Sequence, residues 1–319
     1  MERRYSLLNV FTASEDGGNP LAVVTETDGL DDEAMQTIAR KIGLSETVFV
    51  FPPQNPTHTA AIRIFAPAAE LPFAGHPTVG TAICLIRERV WRPRGTQFEA
   101  LAVLEARGGI LRVAIRPAEG QAAFAEFDAP TSPREAGDAA PEDRIAAALG
   151  LAPTEIGFEN FKPRRFSAGN AYSFVPVDGL EAIGRARIVE EHWDEAFGGD
   201  DHSAAYLYCR DTVQHRAAFH ARAFIPGMGV PEDPATGSAA AAFAGVIHLF
   251  DSPPEGTYNG VIEQGYEMGR PSEIFLGFEV LNRQIRYVRI GGYALPVGMG
   301  TVEFLSASRE PFPLFGLMR

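Results

Sequence analysis

Residues 222–242 read RAFIPGMGVPEDPATGSAAAA, from Arg222 to Ala242. A strand-like run ends at Phe224, and a turn rich in proline and glycine follows. Next come the acidic cluster Glu232-Asp233-Pro234 and the step Ala235-Thr236-Gly237-Ser238, which opens an alanine-rich helix. A carboxylate and a hydroxyl are thereby set beside a helix N-terminus, whose unpaired N–H groups and positive dipole end attract anions. Taken alone, the stretch reads equally as a capped helix after a turn, with Thr236 or Ser238 as the cap.

A second copy changes that balance. Arg63-Ile64-Phe65-Ala66-Pro67 repeats Arg222-Ala223-Phe224-Ile225-Pro226. Further on, His76-Pro77-Thr78-Val79-Gly80-Thr81-Ala82 aligns with Asp233-Pro234-Ala235-Thr236-Gly237-Ser238-Ala239, and upstream Gly18-Asn19 aligns with Gly169-Asn170. The order predicts two related halves, each carrying a loop that runs into a helix, over Pro77–Val90 and Thr236–Leu249. Proline suits a first helical position because its missing N–H has no intrahelical acceptor there. If the halves pack about a pseudo-twofold axis, both helix N-termini face one cleft, a common place for ligands.

The chain is long enough for two domains at 319 residues, and 45% hydrophobic content supplies their cores. Residues 128–141, rich in proline, alanine, glycine and charge, read as a linker. The expected division is 1–128, 129–305 and a tail at 306–319 for which a return to the first domain is one option. A net charge of −13 argues against nucleic acid and against anionic membranes as partners. Cys84 and Cys209 are the only cysteines, which excludes a disulfide framework and suits a reducing, cytoplasmic setting. The histidines show no compact ligand spacing, so no metal is expected. The glycines form neither a Walker loop nor a dinucleotide fingerprint.

Leu71-Pro72-Phe73-Ala74-Gly75-His76-Pro77-Thr78, together with Val230 to Ala239, resembles the PhzF family of phenazine-biosynthesis-type isomerases. Val10-Phe11-Thr12, Gly18-Asn19-Pro20, Leu44-Ser45-Glu46-Thr47, Gln264-Gly265 and Gly269-Arg270-Pro271-Ser272 are similar to that family as well. The resemblance implies the diaminopimelate-epimerase-like fold of the α/β (α+β) class. In it, two pseudo-symmetric domains each wrap a curved, mostly antiparallel sheet around a central helix. It implies Glu46 as catalytic acid/base, with His76, Asp233 and Ser238 lining the same site. It also implies a small carboxylate-bearing substrate, no cofactor and a homodimer. The related epimerases use a cysteine at each helix N-terminus; here neither position holds one.

The residues suit those roles. Burial beside Val48-Phe49-Val50 would raise the pKa of Glu46 and make it a proton shuttle near neutral pH. His76 can donate a hydrogen bond or move a proton. Asp233 can fix the His76 tautomer or orient a substrate amine or hydroxyl, and Ser238 can bind a carboxylate. Backbone around Gly75, Pro77, Thr78, Thr236 and Gly237 is expected to bind the substrate anion. The expected activity is a cofactor-independent isomerase that moves a proton within a small unsaturated or amino/hydroxy carboxylic acid. The alternatives are epimerisation at one carbon without thiols, or non-catalytic binding on the same scaffold. Nothing in the sequence assigns chemistry to Gln264–Ser272.

Overall fold

A computed structural model describes residues 2–90, 100–118, 122–198 and 203–304. The expected tail at 306–319 lies outside them. Among the described residues the strands join in one sheet of seventeen. The first half opens with an antiparallel pair, Glu2–Val10 and Asn19–Val24. The helix Asp32–Ile42 then carries the chain to Glu46–Phe51, which runs parallel to Asn19–Val24. Asp31 caps this helix at the backbone N–H of Ala34 (2.9 Å), and Gly43 ends it in the left-handed region that glycine adopts without steric cost. Its apolar face, Met35, Ile38 and Ala39, buries against Val24, Phe49 and Phe65. Ala60–Phe65 then returns antiparallel to Glu46–Phe51.

The second half repeats the scheme. Ala171–Pro176 runs parallel to Ala205–Cys209, which pairs antiparallel with Phe219–Phe224. Here the crossover contains two short helices, Gly179–Arg185 and Glu190–Phe197, packed through Ile183, Trp193 and Phe197. The expected linker is not free chain: Arg134 and Glu135 pair with Ser167 and Phe166, so part of it is an edge of the sheet. The strand Gln284–Glu303 joins the halves, because it pairs with Ser272–Leu281, with Ala123–Asp128 and with Glu2–Val10. It is entered through Asn282 and Arg283, both at positive φ (53° and 60°), the backbone of a tight hairpin turn.

Two helices lie inside this sheet. Gly75–Val90 is buried on all sides from Gly75 to Ile86, and Gly237–Asp251 from Gly237 to Val246, and both stretches are accordingly small and apolar nearly all round. The first begins two residues before its expected start. Pro77 therefore sits within the first turn, where its missing N–H still has no intrahelical acceptor. In the second, Thr236 holds the N-cap position but its side chain makes no capping bond. Its hydroxyl is committed to Asp233 instead, which corrects the reading of Thr236 as an ordinary cap.

Candidate active site

Strand pairing fixes how the two halves correspond. Leu71 and Glu70 pair with Ile64 and Phe65; Asp233 and Glu232 pair with Ala223 and Phe224. Leu71 therefore corresponds to Asp233, Gly75 to Gly237 and His76 to Ser238. This corrects the sequence alignment of His76 with Asp233. The chain contains both Pro72-x-x-Gly75 and Pro77-x-x-Gly80, and pairing selects the first as the counterpart of Pro234-x-x-Gly237. The ion pairs agree: Arg63 grips Glu70 with two hydrogen bonds (2.8 and 2.7 Å), and Arg222 grips Glu232 likewise (2.8 and 2.9 Å). Thr47 pairs with Phe65 and Ala205 with Phe224, so Glu46 corresponds to Ala204. The parallel pairs Ala22–Thr47 and Ser173–Ala205 equate Asn19 with Asn170.

The two central helices meet end to end. A Cβ on Gly75 would stand 2.7 Å from the Cα of Gly237, and one on Gly237 would stand 3.1 Å from the Cα of Gly75. Only glycine permits this approach of backbone to backbone. Phe11 lies against the junction, its ring 3.0 Å from where a Gly237 Cβ would be. It is fully buried and holds φ at 64°, a conformation that a bulky residue adopts only when its surroundings enforce it. That is the structural content of Val10-Phe11-Thr12.

The junction floors a cavity whose walls include all four expected catalytic residues, Glu46, His76, Asp233 and Ser238. Gly75, Thr236 and Gly237 also line it, whereas Pro77 and Thr78 do not. The Thr78 hydroxyl turns back to donate to the carbonyl of Ala74 (2.8 Å). Thr236 has its N–H bonded to Gln264 Oε1 (3.1 Å) and its hydroxyl donated to Asp233 Oδ2 (2.6 Å), so it serves Asp233 rather than an anion. The wall also holds residues not expected in the site, among them Asn170, Tyr172 and Ala204. The Tyr172 hydroxyl shares a 2.7 Å hydrogen bond with Ser238 Oγ. Leu71, Ile225 and Met228 make the wall apolar on another side.

Gln264 accounts for part of the unassigned motif. Its amide donates to the carbonyl of Asp233 (2.7 Å) and to Thr236 Oγ1 (3.0 Å), clamping the turn before the second helix. Arg270 reaches into the first half, donating to the carbonyls of Gly17 (3.0 Å) and Gly18 (2.7 Å) and to Asn9 Oδ1 (2.9 Å). The segment thus ties together the loops that carry Asn19 and Asp233.

Burial dominates the electrostatics. It holds the His76 imidazole down at about 3, so the ring is neutral. It also pushes Glu46 well above the ordinary carboxylate range, helped by the negative charge of Asp233. Asp233 is raised to about 6 by burial, against the opposing hydrogen bonds from Thr236, Ser45 and Asn19. Two buried carboxyls that repel one another give up their protons in separate steps, so over an intermediate pH range they share one. Glu46 Oε2 and His76 Nε2 lie 3.4 Å apart, and both are buried without a hydrogen-bond partner among the described residues. Buried polar atoms left unpaired are costly, and at a cavity wall they are partners for a ligand.

The raised pKa of Glu46 has a consequence for stability. A carboxyl whose folded pKa exceeds its unfolded value favours folding below the unfolded pKa, and that contribution is lost as pH rises through the folded pKa. Glu46→Gln removes the ionisation. Its melting temperature is expected to match that of the unsubstituted protein in acid and to exceed it increasingly from neutral to mildly alkaline pH. Thermal unfolding across pH checks this; a difference that stays constant with pH contradicts a buried ionisable Glu46.

Fold and cavity together define a two-half, epimerase-like scaffold with an acid pair at its centre, and sequence comparison identifies the lineage. The family described as phenazine biosynthesis-like protein, PhzC-PhzF, matches residues 8–300, and the chain belongs to it. An uncharacterized isomerase of Mesorhizobium japonicum is 50% identical over 301 residues, covering 93% of this chain and 98% of the relative. The trans-2,3-dihydro-3-hydroxyanthranilate isomerase of Pseudomonas aeruginosa is 34% identical over 291 residues, covering 91% and 95%. Among solved structures, a PhzF-family phenazine biosynthesis protein of Bacillus anthracis superposes with a TM-score of 0.83 at 25% identity, covering 95% of this chain and all of that one. The fold is the diaminopimelate-epimerase-like fold that the sequence motifs imply.

Proposed function

We propose that this protein is a cofactor-independent isomerase that moves a proton within a small unsaturated or amino/hydroxy carboxylic acid, with Glu46 as the acid/base. The observation that carries the reading is an asymmetry in a duplicated site. Glu46 faces the cavity from one half, and its counterpart Ala204 faces it from the other. One base serves a proton that leaves one carbon and returns to another on the same side. Epimerisation needs a second base opposite the first; His76 is a poor candidate because burial keeps its ring neutral with a depressed pKa.

In the proposed step the ionised form of Glu46 takes a proton from a carbon activated by the neighbouring unsaturated acid. The C–H electron pair enters the conjugated system, and negative charge grows on the substrate carboxylate. The first-turn N–H groups at Gly75, His76, Gly237 and Ser238, together with the Ser238 hydroxyl, are suited to hold that charge. Glu46 then returns the proton to a different carbon, so no electrons are gained or lost overall. His76 Nε2 and Asp233 are placed to hold a hydroxyl or amine on the same substrate. On this reading the site lies between the halves 1–128 and 129–305.

The Pseudomonas relative names the substrate to try first, trans-2,3-dihydro-3-hydroxyanthranilate, which combines a carboxylate, an amine, a hydroxyl and a conjugated ring. Its conversion is expected to rise with pH along a limb above the ordinary carboxylate range, because the base must be ionised. Ultraviolet absorbance follows the loss of conjugation. No conversion of this compound or of other small unsaturated amino and hydroxy acids contradicts the proposal.

A further inference from the structure

The mechanism gives no task to Asn19. Asn19 is fully buried where the strand Asn19–Val24 begins, and its amide reaches across the two halves. Its Nδ2 stands 2.7 Å from Asp233 Oδ1, 3.0 Å from the carbonyl oxygen of Ala235 and 3.2 Å from His76 Nδ1. Its Oδ1 is buried without a partner among the described residues. Turning the amide over would aim oxygen at a carboxylate and a carbonyl, so the NH2 group is the one that faces them.

We infer that Asn19 is a positioning residue: by donating to Asp233 and facing His76 Nδ1 with an N–H group, it sets which atoms of the site carry the protons. Facing a donor, His76 Nδ1 keeps its lone pair, and the ring proton sits on Nε2, 3.4 Å from Glu46 Oε2. Asp233 Oδ1 receives the amide and Oδ2 receives the Thr236 hydroxyl, so both of its oxygens are stabilised as a carboxylate. The other groups around Asp233 are Ser45, which also donates to it, and Glu46 and Glu232, which repel its charge. Glu46 has no comparable set of donors, so the proton the two acids share resides there. Arg270 fixes this arrangement from the second half by holding the carbonyls of Gly17 and Gly18 just before Asn19.

The inference rests on the reading of Glu46 as the base, but its test need not. Protein labelled with 15N-histidine is observed by NMR near neutral pH, with His76 assigned by its loss in His76→Gln. The expected result for the unsubstituted protein is a neutral ring protonated at Nε2. In Asn19→Leu the preference is lost and both tautomers appear. In turnover, Asn19→Leu is expected to lower kcat by about tenfold or more, the size of one hydrogen bond to a charged group, with KM changed by less than about twofold. The acid limb of its pH profile, which follows ionisation of Glu46, moves to lower pH, because Asp233 loses a donor to its ionised form, takes more of the shared proton and repels Glu46 less. A His76 protonated at Nδ1 in the unsubstituted protein overturns the inference, as does an Asn19→Leu protein that keeps the Nε2 tautomer and the same acid limb. Should Asn19→Leu fail to fold, the tautomer of the unsubstituted protein still decides. Absence of any turnover contradicts the role of Glu46 and leaves the tautomer result standing.

Discussion

Glu46→Gln is expected to lower kcat by about 10²–10⁴-fold, the range over which a positioned acid/base contributes, while leaving KM within a few-fold. The substitution keeps size and shape and removes only the proton that moves. Glu46 touches little that would need it for folding: Oε2 has no hydrogen-bond partner among the described residues, and its counterpart in the other half is an alanine. Activity and stability are therefore expected to move in opposite directions, with the variant slower and, above acid pH, harder to melt. A residue held for structure would lose both together. Steady-state kinetics beside thermal unfolding separates the cases, and retention of full activity removes Glu46 from the mechanism.

Gly75→Ala is expected to have the second largest effect, for a geometric reason. Its Cβ would fall 2.7 Å from Gly237 Cα and 2.9 Å from Gly237 C. Both are backbone atoms of the opposing helix, so no side-chain rotation relieves the clash and the helix N-termini must separate. Overpacking of this kind costs about 1–3 kcal/mol. The separation also shifts His76 and Ser238 relative to Glu46, and misplacement by about 1 Å costs roughly 10²-fold in rate. Gly184→Ala is the control: it lies in a helix with nothing within 4 Å of the added carbon, and it is expected to be neutral or slightly stabilising. Equal behaviour of the two variants in melting and kinetics contradicts the helix junction as the organiser of the site.

Much of this was legible in the sequence because it is written in local signals. The recurrence of Arg63-x-Phe65 and Arg222-x-Phe224 announced the duplication, and the small and apolar residues after Gly75 and Gly237 announced buried helices. Glu46, His76, Asp233 and Ser238 were found through motif resemblance, and the fold brings all four to one cavity. What stayed hidden depends on pairing between distant strands. By sequence Pro77-x-x-Gly80 is the better match to Pro234-x-x-Gly237, since Thr81-Ala82 continues it as Ser238-Ala239 does, and only the bridge from Leu71 to Ile64 selects Pro72-x-x-Gly75 instead. Asn19 was visible in the motif Gly18-Asn19-Pro20, but its acceptors lie 57, 214 and 216 residues away. Tyr172 looked like any aromatic residue on a strand; its hydroxyl gains meaning only beside Ser238. Gln264 could be quoted as a motif and not explained, since its work is done on the backbone of a turn.

Solvent isotope exchange tests the movement of a proton by Glu46 most directly. trans-2,3-Dihydro-3-hydroxyanthranilate is incubated with enzyme in D2O and followed by proton NMR, with Glu46→Gln alongside. The prediction is isomerised product bearing deuterium at the newly protonated carbon, or a partial yield where Glu46 returns the original proton before exchange, and neither reaction with Glu46→Gln. Isomerisation by Glu46→Gln at the rate of the unsubstituted protein, or deuterium uptake at a single carbon with inversion and no shift of the double bond, contradicts it.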